Sequence, residues 1–139
     1  SNLYLQMAFY LKKEGWNGSA NWMLKQADEE KEHALKLADY AIKRGGEVKV
    51  GMIDVVPDGW GSLQDVFENV YEHECHVSKL INDLVDVAVA ENDKATVEFL
   101  NWFIHEQVEE EDSALSIVER LKKAGETGAF FVDAELAKR

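Results

Sequence analysis

The feature that most constrains this chain is a helical period in its apolar residues, which persists over nearly the whole length and yields only to glycine, asparagine and a single proline. Leu3, Met7, Tyr10 and Leu11 mark a first helix over residues 1–14, followed by Gly15 and by Asn17 and Ser19 as stop and cap signals. From about Gly18 to Arg44 a second stripe runs through Ala20, Met23, Ala27, Glu30, Ala34, Leu37, Ala41 and Ile42 until Gly45-Gly46 closes it. Ser62 caps a third helix whose inward face is Leu63, Val66, Phe67, Val70, Glu74, Val77, Leu80, Ile81, Leu84 and Ala88, as far as Glu91. Asn92-Asp93 turn into a fourth, with Val97, Leu100, Phe103, Ile104, Gln107, Glu110, Ala114, Ile117 and Leu121 on one side before Gly125. Residues 128–139, with Phe130, Phe131 and Val132, read as a short terminal helix or docked tail. The expectation is an all-α domain over residues 1–139, with antiparallel neighbours wherever the connections are short.

The one long connection, residues 46–61, contains Val48, Val50, Met52, Ile53, Val55, Val56, Pro57 and Trp60. It is too apolar for a solvated linker and too irregular for a helix, so it is expected to lie along the body of the domain. The second helix is about 40 Å long and an extended segment of this length reaches up to ~50 Å, so the flanking helices can run parallel.

With 46% apolar and 30% charged residues the chain can bury a core, and no apolar run approaches the length of a membrane span. The opening residues carry no secretory signal pattern, and the single cysteine, Cys75, excludes an internal disulfide and fits a reducing, cytoplasmic setting. Fifteen basic against 27 acidic side chains leave a net charge of −12, which opposes nucleic acid and anionic lipid and favours cations.

The chemistry lies in polar residues that interrupt the apolar stripes. Glu30 and His33 form Glu-x-x-His on the second helix, Glu74 interrupts the third, and Gln107 and Glu110 interrupt the fourth. Spacing of i, i+3 puts each pair on one face. An isolated buried carboxylate costs several kcal/mol, so a group of them facing an interior either protonates or binds cations. Oxygen donors with one imidazole suit iron or manganese, and zinc less exclusively. Two metals bridged by carboxylate could bind dioxygen between them, an arrangement that di-iron bundles build from glutamates and Glu-x-x-His motifs. Only one full Glu-x-x-His occurs here.

The segments Asp28-Glu29-Glu30-Lys31-Glu32-His33, Tyr71-Glu72-His73-Glu74 and Glu106-Gln107-Val108-Glu109-Glu110-Glu111 resemble the metal-site segments of bacterial non-haem ferritins, as do Asn2 to Met7 and the region around Phe131-Val132-Asp133. The resemblance covers essentially the whole chain. It implies a ferritin-like four-helix bundle with a long crossover between the second and third helices and a short fifth helix, assembling as a 24-subunit cage. The implied activity is that of a ferroxidase, oxidising Fe(II) with dioxygen or peroxide and storing ferric mineral, with two irons per subunit and a possible third. By position Glu30 matches the bridging carboxylate, His33 the imidazole ligand of the first iron, and Glu74 and Glu110 the carboxylates of the second. Gln107 matches the nearby amide and Tyr4 the tyrosine beside the centre, while Glu29, Glu106 and Glu109 match the third site of some bacterial members. A further glutamate of the family's first helix would fall about one turn before Ser1, so the expectation is a truncated first helix and impaired oxidation.

Bacterioferritins and rubrerythrins carry a second Glu-x-x-His where this chain has Gln107-x-x-Glu110, and the haem-ligating methionine of bacterioferritins corresponds to Lys31, so no haem is expected. The DNA-protecting miniature ferritins usually need basic tails, which are absent. Two other classes compete: a non-catalytic subunit that nucleates mineral without fast oxidation, and a helical interaction module that binds no metal. His73, His76 and His105 are expected at the surface or an interface, and Cys75 in inert packing.

Overall fold

The computed structural model describes all 139 residues as four helices and no strand: α1 (Asn2–Lys13), α2 (Asn17–Lys43), α3 (Leu63–Ala90) and α4 (Lys94–Leu136). None is long and apolar enough to cross a membrane. The chain divides into two compact units, one of residues 1–60 with 129–139 and one of residues 61–128.

In the first unit α1 ends where Gly15 takes φ +90, a conformation open to glycine at little cost. The Gly15 and Trp16 amides then donate back to the Lys12 and Leu11 carbonyls at 3.2 and 2.8 Å, so the chain reverses with its last carbonyls satisfied. Tyr4, Met7, Ala8 and Leu11 from α1 and Ala20, Met23 and Ala27 from α2 are buried. The expected stripe on α2 is buried only as far as Ala27, and Ile42 at its end is exposed.

The N-terminus of α2 has no local side-chain cap; Trp16 occupies the cap position. Asp133 supplies what is missing. Its carboxylate accepts from the Gly18 and Ser19 amides at 3.2 and 2.7 Å and from the Ser19 hydroxyl at 2.7 Å. These amides are among the orphan donors of a first helical turn, where negative charge is also favoured by the helix dipole. The close approach requires glycine at position 18, since a Cβ there would lie 1.9 Å from the Asp133 carbonyl oxygen. Trp16 packs on Phe130 with ring centroids 5.0 Å apart.

In the second unit Ser62 and Asp65 form a reciprocal cap on α3. The Ser62 amide and hydroxyl both donate to the Asp65 carboxylate at 2.7 Å, and the Asp65 amide donates to the Ser62 hydroxyl at 3.1 Å. The Ser62 hydroxyl and amide hold the Asp65 carboxyl below its ordinary range. The α3–α4 turn also passes through a positive φ, Asn92 at 52, but its next helix has a local cap, with Asp93 accepting from the Thr96 amide at 3.1 Å. Phe67, Val70, Ile81, Leu100, Phe103, Ile117 and Leu121 fill the interior.

Two expectations need correction. The connection at 46–61 is not packed along its chain: Val50, Met52 and Val55 are 95, 96 and 98% exposed. Val56 is half-buried, and the end docks through Trp60, edge-on to Tyr10 at 5.5 Å. Leu80 and Leu84, expected inside, are exposed; the apolar positions assigned to α3 span a wide arc, and a helix buries only the side that meets a neighbour. The expected terminal helix lies within the span of α4, beyond Gly125, whose φ 67 and ψ −176 are non-helical and divide that span into two helical pieces. Phe130 and Phe131 on it are exposed, and Val132 and Leu136 are buried.

Asp133→Ala should lower stability by about 1–2 kcal/mol, the usual effect of removing an N-cap. Gly18→Ala should cost more, because backbone must move. Denaturant midpoints of both variants check this, and parent-like midpoints would show that the contact contributes nothing.

Candidate metal centre

The first unit presents Glu30 and His33 one turn apart on α2. His33 Nδ1 lies 3.9 Å from Glu30 Oε2, and both side chains are largely covered. A helix holds such a pair in one orientation without any loop, which suits donors that must converge on a cation. Tyr4, on α1, is fully buried. Glu29, the neighbour of Glu30, faces another way and pairs with Arg139 at 2.5 Å.

The second unit presents Glu74, Gln107 and Glu110, all buried, from α3 and α4. Glu74 has 0% exposure, an unusual position for a carboxylate. The Gln107 amide nitrogen donates to Glu74 Oε2 at 3.2 Å, to the Glu74 carbonyl at 3.2 Å and to the Ser78 hydroxyl at 3.3 Å. This bond fixes the Gln107 amide with its nitrogen toward the carboxylate and orients Glu74. Glu110 lies one turn further along α4. On the same helix Glu106 is half-buried and Glu109 exposed.

Each unit therefore concentrates oxygen donors on helix faces that are otherwise apolar, and the first adds an imidazole. Such a set favours hard or borderline cations that gain from charge neutralisation. The spacing rules brought Glu30 with His33 and Glu74 with Gln107. They missed Ser78, a turn beyond Glu74 on α3 and visible in principle as a polar residue at i+4. They also missed Arg139, whose contacts lie 110 or more residues away. His73 is more covered than expected, and burial pushes its imidazole below the ordinary pKa. His76 and His105 are exposed and Cys75 is half-buried.

Residues 1–124 match the model of the ferritin-like domain family. The chain is 58% identical over 139 residues to a bacterial non-haem ferritin of Bacteroides fragilis, an alignment spanning 100% of this chain and 87% of that protein. It is 32% identical over 139 residues to a bacterial non-haem ferritin of Escherichia coli, spanning 99 and 84%. Among solved structures, an open pore ferritin from the archaeon Archaeoglobus fulgidus superposes with a TM-score of 0.97 at 47% identity, covering 99% of this chain and 86% of that one.

Replacing Gln107 by leucine removes an amide donor from a buried carboxylate, so the metal-free variant should lose about 1–3 kcal/mol of stability. A denaturant midpoint equal to the parent's would mean the amide does not support Glu74.

Proposed function

Because this chain belongs to the bacterial non-haem ferritins, a family of iron-storing proteins with the ferritin-like fold, we propose that it oxidises Fe(II) and stores the product as ferric mineral. The observation that carries this reading is Glu74 at 0% exposure with Gln107 directed at it, in a chain whose Glu30 and His33 are also largely covered. A carboxylate taken out of water is costly, and a divalent cation offsets that cost where a hydrophobic contact would not.

The proposed ferroxidase centre takes two ferrous ions as substrate. Glu30 bridges them, His33 binds the first, and Glu74 and Glu110 bind the second. Gln107 orients Glu74, and Tyr4 lies beside the pair. Each ferrous ion gives up one electron. Dioxygen accepts both electrons with two protons and leaves as hydrogen peroxide, or peroxide accepts them and leaves as water. Glu29, Glu106 and Glu109 make a third iron site. Hydrolysis of the ferric product releases protons and gives an oxyhydroxide. The net charge of −12 concentrates cations around the protein.

The same reading gives a homo-oligomeric cage of 24 subunits in the cytoplasm, without haem, and with neither nucleic acid nor membrane as partner. Exposed Val50, Met52, Val55, Phe130 and Phe131 support assembly, since a lone chain would leave these apolar groups in water.

The test is stopped-flow absorbance during aerobic Fe(II) addition, with iron per chain raised from below two to above three. A fast phase should saturate near the occupancy of the centre. Glu30→Ala should abolish that phase with the helices intact by circular dichroism, since removing a buried charge need not destabilise a fold. Equal fast phases in parent and variant would overturn the assignment of Glu30.

A further inference from the structure

Arg139 closes over one stripe of α2. Its Nη1 donates to the Trp22 carbonyl at 3.3 Å, and its Nη2 donates to Gln26 Oε1 at 2.8 Å and Glu29 Oε2 at 2.5 Å. The guanidinium carbon also lies 4.4 Å from the centroid of the Trp22 ring. Trp22, Gln26 and Glu29 follow one another at four and three residues, so a single planar fork reaches all of them. The Arg139 side chain is 26% exposed and that of Glu29 44%. Three acceptors and an aromatic face distinguish this contact from an ordinary surface ion pair, which has one partner and little fixed geometry.

Glu29 is also the α2 carboxylate of the proposed third iron site. We propose that Arg139 is a latch on that carboxylate, so that a cation uses Glu29 only by displacing the guanidinium. The latch rests on the placing of Glu29 in the third site. Two positive groups on one carboxylate repel each other, so binding of either weakens binding of the other by the same factor. The Gln26 amide and the Trp22 ring favour the latched state, because both keep Arg139 over Glu29 before any cation arrives. Arg139 is then a positioning residue that sets the occupancy of the third site relative to the paired centre.

The test is titration of the iron-free, full chain with terbium(III), a hard trivalent probe, read by tryptophan-sensitised luminescence. The parent is compared with Arg139→Gln, Arg139→Lys, Glu29→Gln and the double variant Arg139→Gln/Glu29→Gln. Asp133 still bonds to Gly18 and Ser19 in every variant, so the terminal segment stays anchored to α2. Arg139→Gln should tighten the Glu29-dependent class of terbium sites about tenfold, allowing for partial exposure of the pair. Arg139→Lys, which keeps the charge without the fork, should fall between, and the double variant should show no gain. If Glu29→Gln weakens binding in the parent while Arg139→Gln leaves it unchanged, the latch is overturned and the third site stands. If Glu29→Gln has no effect in either Arg139 background, both the latch and the third-site role of Glu29 are overturned.

Discussion

Charge buried on helix faces is the constraint on which the rest of this structure depends. Glu74 lies where a core residue would, with Gln107 supplying an amide from the neighbouring helix. A neutral amide donor compensates part of the desolvation of a carboxylate. The helices tolerate this because the rest of each face is conventional: Phe67, Val70, Leu100 and Phe103 bury enough apolar surface to hold α3 and α4 whatever the carboxylates do. A site of this kind is placed by helix register rather than by loops. Rotation of α4 by one residue, about 100°, would remove both Gln107 and Glu110 from the interior together.

Register in turn depends on how the helices begin and end. The second unit solves this locally, with the Ser62–Asp65 cap and the Asn92-Asp93 turn. The first unit does not. The start of α2 is held by Asp133, far along the chain, and its middle by Arg139. The same terminal segment therefore touches α2 at its first turn and again beside Glu29, the residue that precedes Glu30. The helix that carries the Glu30–His33 pair is fixed from outside as well as by its own period.

The helices themselves were legible in the sequence because a helical period is local, and Gly15, Gly45 and Ser62 mark its breaks within two residues of the observed ends. The convergence of Glu30 with His33, and of Glu74 with Gln107, was legible because a carboxylate on an apolar stripe is informative in itself. The roles of Asp133 and Arg139 were not. Nothing in the chemistry of a late aspartate or arginine says which helix over 100 residues earlier it will meet. The break at Gly125 is legible too, because a glycine between two apolar helical stripes marks a place where non-helical backbone angles cost little, and φ 67 with ψ −176 are found there. The connection at 46–61 failed for a different reason. Its composition correctly reports apolar residues that seek burial, and composition does not say against which surface.

That connection gives the strongest argument that the single chain is an incomplete account of the folded protein. Val50, Met52 and Val55 are almost fully exposed, in a chain that has 46% apolar residues available and hides others efficiently. Burying three such side chains is worth about 1.5–3 kcal/mol each, a large amount to leave in water for a domain of this size. Phe130 and Phe131 stand in the same position on the segment beyond Gly125. The proposed cage resolves both at once, since subunit contacts supply the apolar surface that the chain does not provide for itself. On that reading the Asp133 clamp matters twice, because it holds the segment bearing Phe130 and Phe131 in the orientation an interface would require while anchoring the helix of the Glu30–His33 pair.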